Sequence, residues 1–122
     1  MLVTAAFLAI FLGLVHSYLG ERYILIRLFK GELPKLLGSD WFTKRVLRFA
    51  WHLTTVAWWG FAAILFIISS PSEYIQQQIL VVIAVVFLIS GLLSAAFTKG
   101  KHISWIFFWS ISALSFYVAQ SS

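Results

Sequence analysis

The stretch GLVHSYLGER, residues 13–22, closes an almost wholly apolar segment that begins at Met1. A histidine, His16, sits just before the end of that segment, and a Gly-Glu-Arg follows it. About 20 predominantly apolar residues are what a helix needs to cross the hydrocarbon core of a bilayer. The first segment therefore reads as a membrane span of about residues 1–19, ending where Glu21 and Arg22 bring charge. No basic residue precedes the apolar run, so a cleaved secretory signal is disfavoured.

Three further windows have the same character, at about residues 49–68, 74–97 and 103–119. The expectation is an all-α fold, an integral membrane four-helix antiparallel bundle, with residues 1–122 forming a single membrane domain. Composition agrees. The chain is 61% hydrophobic and only 11% charged, more apolar surface than a soluble domain of 122 residues can bury. It has no cysteine, which excludes disulfides, thiolate metal sites and cysteine nucleophiles.

The net charge of +5 reads as topology rather than as affinity for nucleic acid. Arg22, Arg27, Lys30, Lys35, Lys44, Arg45 and Arg48 fall between the first two spans, and Lys99 and Lys101 between the last two. Every basic residue thus lies on one side. The other side carries the termini and the turn around Pro71, where Glu73 is the sole charged side chain. Basic loops stay in the cytoplasm. The expected location is a bacterial inner membrane, multi-pass, with both termini periplasmic and a cytoplasmic loop at about residues 20–48. The partners expected are the lipid bilayer, anionic headgroups at the basic loops, and a second copy or a larger membrane complex. Within the loop, residues 21–31 alternate basic and bulky apolar side chains, the pattern of an interfacial amphipathic helix. Ser39 or Asp40 suits the N-cap of the second helix.

Small residues recur every fourth position at Ala5, Ala9, Gly13 and Ser17, and again at Ser90, Ser94 and Thr98, flanked by Gly91 and Ala95. Such stripes let helices approach closely in lipid, so Gly13, Gly91 and Ser94 are read as packing positions. Trp58 and Trp59 fall mid-span. Their indole N–H groups need acceptors, for which Thr54, Thr55 or a serine of a later span is available.

The three histidines, His16, His52 and His102, sit at similar depth at the cytoplasmic ends of their spans, with Glu21 beside them. Ionisable groups at a membrane are costly unless paired or hydrated, which marks them as site candidates. His16, Glu21, His52 and His102 are the candidate ligand or metal residues, supported by Gly20, Arg48 and Trp51. Three imidazoles and a carboxylate suit a transition metal. Two imidazoles with nearby cations suit haem b. Interfacial anchoring and structural hydrogen bonds account for the same residues without any ligand. No nucleophile–base pair and no dense histidine–carboxylate array is present, so hydrolase or hydroxylase chemistry is unsupported and no catalytic residue is assigned.

Two segments taken together, VHSYLGER (15–22) and LRFAWHLTTVAWW (47–59), carry a resemblance. They resemble a group of small bacterial four-span membrane proteins, through a His-Ser-x-Leu-Gly-Glu at the end of the first span and an Ala-Trp-His-Leu at the start of the second. The resemblance implies the four-span layout and makes His16, Gly20, Glu21, Trp51 and His52 its signature positions. It brings no assigned activity. HSYLGER alone is similar to the H-x-x-x-G-x-R form of cytochrome b anchor subunits of succinate dehydrogenase, where the histidine binds haem. Three functional classes stay open: a protein binding a metal ion or small polar ligand, including a small transporter working as a dimer; a haem-b electron-transfer subunit; and an accessory subunit with no ligand of its own.

The one-sided charge predicts that cysteines placed at Lys35 and Lys99 are labelled from the cytoplasmic side only, and one at Glu73 from the opposite side only. Labelling of positions 35 and 73 from the same side would refute the topology.

Overall fold

The computed structural model describes residues 1–121 and is built of four helices. Helix α1 is continuous over Leu2–Leu28. It is α-helical to Leu19, passes through a π-helical segment at Gly20–Leu25, and regains α geometry at Ile26–Leu28. Helices α2, α3 and α4 span Trp41–Ile68, Ile75–Thr98 and Ser104–Ser121. No β-strand occurs among the described residues.

The first helix is thus longer than the expected span of residues 1–19, and residues 21–31 do not form a separate interfacial helix. The π segment explains the difference. Its hydrogen bonds reach five residues, as from the Ile26 N–H to the Glu21 carbonyl, and so add a residue to the turn. A regular α-helix would swing Leu25 away from the side that Gly20 faces. The wider turn returns it, and Leu25 is 2% exposed. The connecting loop is correspondingly shorter, running from Phe29 to Asp40 instead of over residues 20–48. Asp40 occupies the N-cap position of α2 without a side-chain cap bond. Ser39 Oγ accepts the Trp41 N–H at 3.3 Å, and Lys44 pairs with Asp40 at 3.1 Å.

The remaining turns are tight. Pro71 lies just beyond α2, where it cannot continue the helix. At the end of α3, Lys99 and Gly100 adopt left-handed backbone (φ 53° and 75°). There the Gly100 N–H reaches back to the Ala95 carbonyl at 2.8 Å, closing the helix with a Schellman-type bond.

Each helix packs on its neighbour in the chain: α1 on α2, α2 on α3, α3 on α4. The first and last helices do not approach one another. The arrangement is an open row of four helices. Contacts run in opposite directions along each outer pair. Ile10, Gly13 and Glu21 meet Trp59, Thr55 and Arg48. Likewise Ala84, Leu88 and Ser94 meet Ser112, Trp109 and Ser104.

Three of the close approaches share a device. A tryptophan of one helix lies across a glycine of its neighbour and donates its indole N–H to a backbone carbonyl one turn earlier. Trp51 crosses Gly20 and bonds the His16 carbonyl at 3.0 Å. Trp59 crosses Gly13 and bonds the Ile10 carbonyl at 3.1 Å. Trp109 crosses Gly91 and bonds the Leu88 carbonyl at 3.2 Å. The acceptor of Trp59 is therefore a main-chain oxygen, not Thr54, Thr55 or a serine. Of the small-residue stripes, Gly13, Ser90, Gly91, Ser94 and Thr98 are buried, whereas Ala5 and Ala9 are half-buried and Ala6 takes the fully buried place on α1.

Among the described residues, α1, α2 and α3 are long and apolar enough to cross a membrane. Helix α4 is not in that group. Five serines and Gln120 dilute its apolar content over 18 residues. Much of the apolar side-chain surface faces outward, including Phe7 (61% exposed), Phe61 (63%) and Leu114 (67%).

A Cβ at Gly91 would lie 2.2 Å from Trp109 Nε1, while one at Gly31 would meet nothing nearer than 3.7 Å. Gly91→Ala should therefore lower unfolding stability in detergent by about 1–3 kcal/mol, and Gly31→Ala should leave it nearly unchanged. Equal thermal midpoints for the two variants would refute the notch.

Candidate functional site

The end of the α1/α2 seam nearest the basic loop holds a chain of polar side chains. Glu21 stands in the π segment of α1, and Arg48 and His52 stand one helical turn apart on α2. The Arg48 guanidinium grips the carboxylate twice, Nη2 to Oε1 at 2.6 Å and Nε to Oε2 at 3.2 Å. Fork-on-fork pairing of this kind is the strong, directional form of an ion pair. His52 Nε2 donates to the same Oε2 at 3.0 Å. The three side chains keep 24–32% of their surface exposed, so the cluster is half-buried and reachable.

The chain continues inward from His52. Its Nδ1 lies 2.9 Å from Ser17 Oγ. Ser17 Oγ meets Thr55 Oγ1, and Thr55 Oγ1 donates to the Gly13 carbonyl at 3.2 Å. These contacts join Glu21, His52, Ser17, Thr55 and the Gly13 carbonyl into one continuous polar line across the seam.

His16 takes a different part. Its Nε2 donates to the Trp51 carbonyl at 3.2 Å, while Trp51 Nε1 donates to the His16 carbonyl at 3.0 Å. The two rings stack, with centroids 4.7 Å apart and planes within 1° of parallel. Trp58 closes edge-on against His16 at 4.8 Å. Two side chains thus exchange hydrogen bonds with each other's backbone, which makes a clasp between α1 and α2. A Cβ at Gly20 would lie within the Trp51 indole, so only glycine leaves room for it.

His102 belongs to the other hairpin. It precedes α4, with Nδ1 2.7 Å from Ser104 Oγ and accepting the Ser104 N–H at 3.4 Å, in the manner of a helix cap. Its own N–H donates to Thr98 Oγ1 at 3.2 Å, and Phe42 and Phe49 flank its ring. Ser94 meets Ser104 across the α3/α4 seam at 2.6 Å.

The expected set of His16, Glu21, His52 and His102 is therefore not drawn into one place. Glu21 and His52 touch, with Arg48 on them. His16 is turned into the tryptophan clasp, and His102 caps a helix. Among the described residues no three His, Asp or Glu side chains gather as a group able to hold a metal ion. Ser17 and Thr55 are the members that sequence reasoning left out of the site. Their signal was present: Ser17 is one turn from Glu21 and Gly13, and Thr55 is three residues beyond His52.

Beside this chain the seam is open. A groove of about 410 Å³ has Ser17 and Glu21 on its wall together with Leu14, Tyr18, Arg22 and Trp59. Every buried side-chain polar atom among the described residues has a partner. No protein-family model, no curated protein and no solved structure matches the chain.

Because Glu21 and His52 act through one contact, their substitutions should not add. Glu21→Gln and His52→Ala should each lower stability by about 1 kcal/mol, given partial exposure. A double-mutant cycle in detergent should show a coupling on the order of 0.5–3 kcal/mol. A coupling of zero would mean that the pair contributes nothing to the folded state.

Proposed function

We propose that this chain is a small multi-pass protein of a bacterial inner membrane, with its basic loops in the cytoplasm, both termini periplasmic and α4 completing four spans. Its polar cluster at the cytoplasmic end of the α1/α2 seam receives a small polar ligand group. The observation that carries this reading is the Arg48–Glu21–His52–Ser17 chain, whose Glu21 and Ser17 border a mostly apolar groove. The membrane part is supported by three helices of spanning length and apolarity and by outward-facing phenylalanines and leucines. Ionisable groups held at such a depth mark a functional site.

The ligand class is narrowed by what each donor already does. A metal ion would find the Glu21 carboxylate shared by Arg48 and His52 and, among the described residues, no third ligand beside it. Haem b would need two imidazoles with nitrogens to give, but both nitrogens of His52 are engaged and His16 Nε2 is spent on Trp51. A neutral or anionic polar group, hydrogen-bonded rather than coordinated, suits the cluster better.

A second reading, an accessory subunit in a larger membrane complex, is favoured by the open row of helices, whose first and last members have no contact with each other. Small-molecule mass spectrometry on detergent-purified protein separates the two. The ligand reading expects a compound near one per chain in the wild type, lost in both His52→Ala and Glu21→Gln. Identical extracts from all three proteins would discard it in favour of the accessory role.

A further inference from the structure

Arg22 is the one arginine among the described residues with neither an ion pair nor an aromatic partner. Arg48 holds Glu21, Arg27 lies over Tyr23 and Arg45 over Trp41. Arg22 instead stands exposed at the rim of the α1/α2 groove, one turn beyond Tyr18. The carboxylate next to it does not neutralise it, because Glu21 is already shared by Arg48 and His52. The local balance is positive, and an anion is what that rim attracts.

The groove below the rim is apolar. From Arg22 to Leu14 it descends eight residues of helix, about 12 Å. Trp59 forms its floor at that level, and the same Trp59 borders a second groove of about 310 Å³ between α2 and α3, walled by Val56, Gly60, Val82 and Val86. Val86 seats on Gly60, whose missing side chain lets α2 and α3 come close at that level. The two grooves therefore follow one another from a free cation at the basic end of the protein into its apolar middle.

We propose that this track holds one anionic amphiphile of the bilayer, its acidic head on Arg22 beside the Tyr18 hydroxyl and its hydrocarbon chain along Leu14, over Trp59 and into the valley at Gly60. The assignment rests on the membrane reading above, and it names the ligand that would reach the Glu21 cluster from the lipid side. Charge decides for an anionic head over a zwitterionic one. The length of the apolar track decides for a chain-bearing molecule over a free anion.

Native mass spectrometry of the detergent-solubilised full chain tests it, with dioleoylphosphatidylglycerol, dioleoylphosphatidylcholine and inorganic phosphate as probes. The expected result is one phosphatidylglycerol per chain, held roughly tenfold more tightly than phosphatidylcholine and not displaced by inorganic phosphate. Arg22→Gln should cost about tenfold in that affinity, the value of one charge-assisted hydrogen bond. Lys35→Gln, in the basic loop but away from the groove, should cost little. Leu14→Trp, which fills the groove and leaves the head site intact, should also weaken the lipid. Equal binding of the two lipids, or equal loss from Arg22→Gln and Lys35→Gln, would overturn the proposal in favour of diffuse attraction to the basic loop. Displacement by inorganic phosphate would overturn it in favour of a free-anion site. Failure of the membrane reading shows separately, as labelling of positions 35 and 73 from one side.

Discussion

The contact on which the rest of this structure depends is the indole lying in a glycine notch. A tryptophan is too large to sit between two close helices unless one of them lacks a side chain at that level. It is also too polar to be left there without an acceptor for its N–H. Both conditions are met three times, at Gly13, Gly20 and Gly91, and each time the acceptor is a carbonyl of the helix being crossed. The carbonyl already serves its own helix and accepts the indole on its second lone pair. Such a bond survives in an apolar environment, where there is no water to compete for it. The notch sets how near the helices come, and the N–H sets their relative height.

That height places the polar chains. With Trp59 locked at Gly13 and Trp51 at Gly20, the stretch between them brings Ser17 opposite Thr55 and His52, and just beyond it Glu21 meets Arg48. The π segment adds the last adjustment, since its extra residue keeps α1 facing α2 as far as Leu25. The α3/α4 hairpin repeats the scheme with fewer charges. Trp109 in the Gly91 notch lies beyond the Ser94–Ser104 contact, and His102 sits at the turn. Each hairpin thus joins a tryptophan notch to a short hydroxyl–imidazole chain, but only the first adds a carboxylate and a guanidinium.

The open row has a physical consequence. Helices that touch only their chain neighbours leave two broad faces uncovered, and here those faces are phenylalanine, leucine, isoleucine and valine. In water such a layer would collapse or associate, because exposed apolar patches of that size are not stable alone. In hydrocarbon there is no such penalty, and the cohesion of the row comes from packing and interhelical hydrogen bonds. The many serine, threonine and tryptophan bonds across the seams are of that kind.

The sequence by itself determined that the chain is helical, how many long helices it forms and where charge interrupts the apolar runs. Those follow from run length, hydropathy and the position of charge, all of which are local. It also pointed to His16, Glu21, His52, Arg48 and Trp51 as neighbours of interest, because polar residues stand out in an apolar chain. Only the tertiary structure decided what each one does. Whether a histidine meets a carboxylate, a tryptophan carbonyl or a helix N-terminus depends on the rotation of one helix against another. That rotation is set by the glycine notches and by a π turn with no local sequence mark. His16, His52 and His102, alike in the sequence, were therefore assigned to a clasp, an ion-paired chain and a cap by geometry alone. The separation of His102 from the others has the same cause: α4 packs on α3, so a histidine at its start lies in the other hairpin however similar its depth.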